Sequence, residues 1–476
     1  TLKALDKIKF VPDDAKREME KVVFNLQPRA FTRSRGLGVR LPWDSKEIID
    51  SLSDSTIYTA FYTIAHKVKK IELNKVDDKF WDYVMLGRGE QNDLPVEVAE
   101  LRKEFLYWYP VDSRHSGRDL IQNHLAYYIY HHVAVFGENM LPKQIVTNGF
   151  IRVGGKKMSK SFGNIYPLAR AINEYGVDTV RLALTSTSSI GDDIEFNSSI
   201  AKSIGDQLKH IHDYIIMLLK APSTQEIRRA DLWLSSIVSN YVKKVDEAMD
   251  KLDFRSAYVN VFYTMYEVIK DYVELTNSVI NKDVVRSVLS VWVRMMAPFT
   301  PHIAEEIWHY FNDSFVVTQK FPEPTELKVD GSALLEIEYL RLFVDKINEL
   351  SANMSKEPEK LIVYVNSDPE LKKVLRKAIR AIEERQTLKD FMLEVGDDAT
   401  AKRLYEVASE LPPLVRELYT HNDLDEEKVL VSNLRFIMNK LNLTEIVIYD
   451  AKDTLSPDIK GKKSLALPLS PGIVLI

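Results

Sequence analysis

The chain has 476 residues, enough for two to four domains, and combines 45% hydrophobic with 28% charged residues without any long uncharged apolar run, so it reads as globular and lacks a membrane span. A net charge of -5 excludes a uniformly basic nucleic-acid binder and confines any RNA contact to local patches. Cysteine is absent, which removes disulfides, thiolate metal sites and cysteine nucleophiles together; with no secretory signal at the start, a cytoplasmic setting fits.

In chain order, Met19, Val22, Val23 and Leu26 recur at helical spacing and predict an amphipathic helix from Pro12 to Leu26. A glycine-rich turn, Arg33 to Asp44, follows. Asp54 or Ser55 is a candidate cap for the apolar, aromatic segment that continues through Ile64. Phe105 to Tyr109, closed by Pro110, reads as a buried strand, Leu120 to Phe136 as a buried helix, and Gln144 to Gly149 as a second strand. Strand, helix and strand predict a parallel pair with a right-handed crossover. The loop Ser116-Gly117-Arg118-Asp119 then falls on the sheet edge where ligands of open parallel sheets bind. Gly117 allows close backbone approach there and Asp119 can accept hydrogen bonds from a ribose, although an ordinary helix cap would use the same carboxylate. Asn123 and His124 lie just over one turn further on, near the same crevice. His131 and His132 are adjacent and so lack the i, i+4 spacing of a zinc helix, and His302 is followed by Glu305 and Glu306 without completing an inverted zincin pattern. No metal site is predicted.

The loop with the most specific chemistry is Gly154 to Asn164. Two glycines lead into Lys157-Met158-Ser159-Lys160-Ser161, and Gly163 lets the chain turn again. Two lysines three apart can follow phosphate oxygens as negative charge builds on a leaving group. The run is not a P-loop, because the Gly-Lys-Ser/Thr ending is missing. Two short helices parted by Gly176 come next, then a wholly helical stretch from Ile200 to Phe311 with one apolar face at Leu234, Ile237, Val238, Tyr241, Val242, Val245 and Met249. About four helices make a bundle, broken before its last helix by Met296 to His302. The remainder, with a helix from Leu334 to Leu350, a strand at Leu361 to Val365 and strands near Ile446 and Ile473, predicts a small α+β domain. Lys373, Arg376, Lys377 and Arg380 share one helical face there, and Lys460, Lys462 and Lys463 form a second basic cluster.

Lys-Met-Ser-Lys-Ser is the signature of class I aminoacyl-tRNA synthetases. The order of Arg35-Gly36-Leu37-Gly38, Pro42-Trp43-Asp44, Ser51 to Tyr58, Trp108 to Asp112, Ser116 to His124, Lys157 to Ser161 and Met296 to His302 resembles leucyl-tRNA synthetases of the archaeal and eukaryotic cytosolic type. The resemblance implies an α/β fold: the C-terminal half of a Rossmann-like nucleotide fold, followed by an anticodon-binding-type helical bundle and a small α+β C-terminal domain. In those terms residues 1–50 return from an editing insertion, 51–195 hold the second half of the catalytic domain, 196–330 the bundle and 331–476 a tRNA-binding domain. It also implies leucine activation by ATP, with Mg2+ accompanying the nucleotide, and transfer to leucine tRNA. Lys157 and Lys160 are the implied catalytic residues, and Gly117, Asp119, Asn123, His124, Lys157, Met158, Ser159, Lys160 and Ser161 the implied ATP site. Lys373, Arg376, Lys377 and Arg380 are the implied tRNA contacts.

The departures are equally specific. No two histidines stand three apart, so the His-x-Gly-His-type signature is missing, and no editing domain is present. Val39-Arg40 replaces the usual threonine-containing turn, and Arg114-His115 is less typical on the substrate side. The expectation is therefore a C-terminal portion, inactive alone, of a longer chain or of an enzyme whose missing half is a separate subunit. The alternatives are a noncatalytic synthetase-like tRNA-binding protein and a related isoleucyl or valyl enzyme.

Overall fold

Parallel pairing of three short strands sets the frame of the first part of the chain. The computed structural model describes every residue from Thr1 to Ile476 except Asp93, Lys160, Phe162, Asn353, Ser355, Asp397 and Asp398. The chain divides into two compact units, residues 1–204 with 252–255, and residues 205–251 with 256–476.

In the first unit β1 (Lys9–Val11) leads into the helix Asp14–Phe24, whose Met19 is buried and whose Val22 and Val23 are partly so. β2 (Thr32–Arg33), β3 (Arg40–Leu41) and β4 (Asp44–Ile49) form a small antiparallel sheet in the order β2-β4-β3, carrying the glycine-rich turn. The helix that follows, Ser51–Ser55, is capped by Asp50 and not by Asp54 or Ser55. Asp50 accepts from Leu52 N–H at 2.9 Å while both its oxygens take the Arg33 guanidinium, at 2.7 and 2.9 Å. A carboxylate one residue ahead of the helix can do both jobs; Asp54 and Ser55 already lie inside it.

Phe105 to Tyr109 is not a strand. Helix Val98–Trp108 covers it, with Val98, Leu101 and Phe105 buried at spacings of three and four while Leu106, Tyr107 and Trp108 are exposed. A run of five apolar residues hid this period because only Phe105 and Tyr109 of the five face the core. The strand follows Pro110: β5 (Ser113–Gly117) pairs in parallel with β6 (Gln144–Asn148), from Ser113 opposite Gln144 to Gly117 opposite Asn148. Between them run a 3-10 turn, a π-helical turn over Ile121–Leu125 and the helix Ala126–Phe136. β1 pairs in parallel on the other side of β6, giving the order β1-β6-β5. Leu5, Phe10, Met19, Ile121, Leu125, Ile129 and Ile145 pack this sheet against its helices. Next, β7 (Ile151–Val153) and β8 (Lys156–Lys157) form a hairpin, helices Leu168–Tyr175 and Val177–Ser186 meet at Gly176, and β9 (Ile194–Glu195) pairs in parallel with β7.

The second unit is helical first. Helices Arg229–Asp250, Met265–Leu275, Lys282–Met296 and Pro301–Trp308 bury Trp233, Tyr272, Trp292 and Trp308, and β10 (Ser223–Thr224) pairs in parallel with β11 (Ile280–Asn281). Helix Gly331–Ser351 leads to a three-stranded sheet in the order β13-β12-β14, in which β12 (Lys360–Val365) pairs in parallel with β13 (Glu445–Asp450) and antiparallel with β14 (Gly472–Leu475). Helices Pro369–Glu383, Leu388–Val395, Ala399–Glu410, Pro413–His421, Glu426–Ser432 and Leu434–Leu441 lie between β12 and β13 in sequence. Among the described residues no helix is long and apolar enough to cross a membrane.

Candidate active site

Because β5 and β6 are parallel and end in register, their C-terminal exits lie on one edge of the sheet. At the first exit the Asp119 carboxylate folds back over Gly117, where a Cβ would lie 2.6 Å from Oδ1 and would turn that side chain aside. Asp119 itself is exposed, while its neighbour Arg118 reaches down to Asp14 and Glu18 of the helix Asp14–Phe24, at 2.8 and 2.9 Å. Arg118 thereby anchors the turn and leaves Asp119 available.

His124 is the buried polar group behind that turn. Its Nε2 receives a hydrogen bond from Arg114 Nη2 at 2.9 Å, and its Nδ1 lies 3.2 Å from Ser55 Oγ. The Ser55 hydroxyl donates to Leu52 O at 2.9 Å, so its oxygen must accept from His124, which fixes the proton on Nδ1. Burial, and then the Arg114 charge, lower the pKa of this ring and hold it neutral. Asn123 Oδ1 accepts from the His124 backbone N–H.

His131 and His132 are bound in the same manner. Thr56 donates to Ser53 O and accepts from His131 Nδ1, each at 2.7 Å. His132 donates from Nδ1 to Tyr128 O at 2.8 Å and accepts the Tyr109 hydroxyl at Nε2; burial pushes its pKa down to about 4. Arg114, Ser55, Thr56 and Tyr109 escaped the sequence reading as parts of this network. Their partners are up to 75 residues away, and no local pattern announces them.

The second exit carries the lysine loop. Gly149 has no space for a side chain, since a Cβ would lie 2.2 Å from the Asp192 carbonyl oxygen. Phe150 N–H and Arg152 Nε both donate to Asp193, at 2.9 and 2.7 Å, and these contacts hold that carboxyl below the usual range. Gly154 and Gly155, with φ of +63° and +73°, turn β7 back into β8. Lys157 lies on the hairpin with its Nζ 3.4 Å from the centre of the Phe150 ring, a cation-π contact that holds the ammonium on the exposed side of the loop. Lys160 lies outside the described residues. The loop is fastened by Asn164: its Oδ1 accepts from Ser159 N–H at 2.9 Å, and its Nδ2 faces the carbonyls of Val153, Lys156 and Lys157 at 3.2 to 3.3 Å. The hydroxyls of Ser159 and Ser161 are 2.6 Å apart, and Tyr166 N–H points at Met158 Sδ. The described part of the loop presents Lys157 and Ser161 at the surface. Among the described residues no group of three or more His, Asp or Glu is placed to hold a metal ion.

The basic face of the helix Pro369–Glu383 is partly committed. Lys373 pairs with Glu370 at 2.7 Å and Lys377 approaches Glu394 at 3.9 Å. Arg376 is a staple: it binds Asp423 and the carbonyls of Tyr419 and Asn422, and lies over the Tyr419 ring. Arg380 is exposed.

Residues 1–197 match the model of tRNA synthetases class I (I, L, M and V), and residues 231–389 match that of the anticodon-binding domain of tRNA ligase. Residues 1–197 thus belong to the class I tRNA synthetase family. Within that family it is 58% identical over its whole length to leucine--tRNA ligase 1 of Sulfolobus acidocaldarius and 59% identical to that of Sulfurisphaera tokodaii. The chain spans about half of each of these relatives, 51% of their length. Among solved structures, the leucyl-tRNA synthetase agnB2 LeuRS of Agrobacterium radiobacter K84, determined with tRNA and LeuAMS, is 19% identical with a TM-score of 0.45, over 62% of this chain and 37% of that one.

Proposed function

We propose that this chain is the C-terminal portion of a leucine--tRNA ligase, which activates leucine with ATP and transfers it to leucine tRNA. The observation that carries the reading is 58% identity along the whole chain to a leucine--tRNA ligase. In the activation step a leucine carboxylate oxygen attacks the α-phosphorus of ATP, the bond to the bridging oxygen breaks, and pyrophosphate leaves. Lys157 and Lys160 stabilise the charge that builds on that leaving group, with Met158, Ser159 and Ser161 shaping the loop around it. Mg2+ enters with the nucleotide as part of the substrate. Gly117 and Asp119 receive the ribose, with Asn123 and His124 on the adenine side. The exposure of Asp119 and the neutral, doubly bonded His124 support those roles.

The chain divides in this reading at residues 50, 195 and 330, with the bundle from 196 on serving tRNA recognition and the domain from 331 to 476 gripping the tRNA. Lys373, Lys377 and Arg380 contact phosphates there, with Arg376 holding their helix in place. The half of the fold that the relatives carry beyond this match, as the same chain or a separate subunit, adds strands at the outer edges of β1 and β5. The assembly is cytoplasmic.

Leucine-dependent ATP–pyrophosphate exchange tests this. The chain is co-expressed with the polypeptide corresponding to the other half of the Sulfolobus relative, and exchange is measured with leucine, isoleucine and valine. Leucine-selective exchange supports the reading. Absence of exchange with tRNA binding retained would establish instead a noncatalytic tRNA-binding protein, and preference for isoleucine or valine would move the chain to a sister specificity.

A further inference from the structure

The hairpin that carries Lys157 is exposed from Gly154 to Lys157, yet it is held along one side by a segment 40 residues further on. That segment is fixed to the edge of the parallel sheet before it reaches the hairpin. Gly191 packs so closely on Pro12, just past β1, that a Cβ would lie 2.6 Å from the proline Cγ, and the Asp192 carbonyl closes in the same way on Gly149, just past β6. Asp193, immediately before β9, and Glu195, its last residue, then both turn toward the hairpin. The first takes its base, accepting Phe150 N–H at 2.9 Å and Arg152 Nε at 2.7 Å. The second takes its tip: Gly155 N–H lies 3.1 and 3.3 Å from the two Glu195 oxygens. Main chain joins them between these points, with Ile194 N–H donating to Phe150 O at 2.8 Å and Phe196 N–H to Arg152 O at 2.9 Å. Phe196 is buried and ends β9 against Tyr166 and Tyr175, with ring centres 5.5 and 6.4 Å away.

Two residues fix where Lys157 lies: Arg152, its register partner across the hairpin, and Phe150, whose ring carries the ammonium. These are the two that Asp193 binds. Glu195 acts two positions ahead of the lysine, at the turn that returns β7 into β8. The base and the tip of the lysine hairpin are therefore both tied to one strand, and that strand is tied to the exits of β1 and β6.

We propose that Asp193 and Glu195 are positioning residues for Lys157, a pair of carboxylates that sets how far the lysine stands from the sheet edge. Their part in catalysis rests on the reading of Lys157 as the lysine that meets the ATP phosphates. Neither carboxylate touches substrate in this role. A group misplaced by about 1 Å from the reacting atoms can cost about 10²-fold in rate, so a hold on the hairpin is felt in turnover. By charge alone, two carboxylates beside a phosphate site would oppose phosphate binding. The two effects are separable: losing the hold lowers turnover, whereas losing the repulsion strengthens ATP binding.

Glu195, at the exposed tip, can be replaced with the least risk to the fold. In the full chain, E195A should lower amide protection at Gly155 and Met158 about tenfold while Ile194 keeps its own, and E195Q, whose side-chain oxygen still accepts the Gly155 N–H, should restore most of it. In the enzyme reassembled from both halves, E195A should lower the turnover of leucine-dependent ATP–pyrophosphate exchange about tenfold with KM for leucine unchanged. E195Q should recover that activity, and E195A should cost nothing further in a K157A background. Gly155 protection unaltered by E195A would overturn the hold. Exchange within twofold of the unaltered enzyme, a rise in exchange, or a further tenfold loss on top of K157A would overturn the positioning of Lys157. If the reassembled enzyme with Glu195 intact shows no exchange, the ligase reading falls instead, and amide protection in the chain still decides the hold.

Discussion

Lys157 rests its ammonium on an aromatic face, with Nζ 3.4 Å from the centre of the Phe150 ring. In the reassembled enzyme, K157A should lower leucine-dependent exchange by about 10² to 10³-fold and leave leucine affinity nearly unchanged, as loss of a group acting on the leaving phosphate demands. Exchange kinetics over a leucine series would show an affinity effect instead if the lysine only shaped the pocket. The buried His132 makes a second residue-level claim. Its pKa in the folded chain, about 4, lies below the ordinary 6.5, so the unfolded chain binds the proton more tightly. Stability from keeping this ring neutral is therefore complete above about pH 6.5 and is lost as pH falls toward 4, by about 3 kcal/mol in all. Replacing His132 by Gln should flatten that part of the pH–stability curve in chemical denaturation.

At the scale of elements, the lysine loop depends on one side chain within it. N164A removes the bonds to Ser159 N–H and to three carbonyls, and amide protection across residues 156–159 should drop while the parallel sheet is unaffected. The helix Pro369–Glu383 separates two meanings of a basic residue. R380A should weaken tRNA binding and reduce its salt slope by about 1, whereas R376A should chiefly lower the melting temperature, since Arg376 holds Asp423 and two carbonyls. This contrast marks the limit of sequence reading. Helical spacing put Lys373, Arg376, Lys377 and Arg380 on one face, but which neighbour covers that face depends on the helix Pro413–His421, more than thirty residues on. The strand β6 and the glycine turn before Lys157 were legible because both rest on local chemistry, whereas the parallel partner of β6 was expected at Phe105–Tyr109 and lies at Ser113–Gly117. The helix over Val98–Trp108 was not, because five consecutive apolar residues fit a strand and a helix face equally well. The His124 network was invisible for a third reason: Ser55 and Arg114 converge on it only after folding.

For the whole molecule, the two units carry buried titratable groups of opposite sense. In the first, His132 makes acid destabilising. In the second, Glu426 has a raised pKa, so the folded unit binds the proton more tightly than the unfolded chain, and its stability falls as pH rises from about 4.5 to 7. Calorimetry from pH 5 to 8 should show the two transitions moving in opposite directions, and parallel movement would mean that other groups dominate. The bare flanks of the three-stranded sheet carry a practical lesson of a different kind. Each of β1 and β5 has a single strand neighbour among the described residues, which leaves a row of unpaired backbone donors and acceptors on either side of β6. Such edges are templates for indiscriminate strand addition. Produced by itself, the chain should be prone to self-association and precipitation at high concentration.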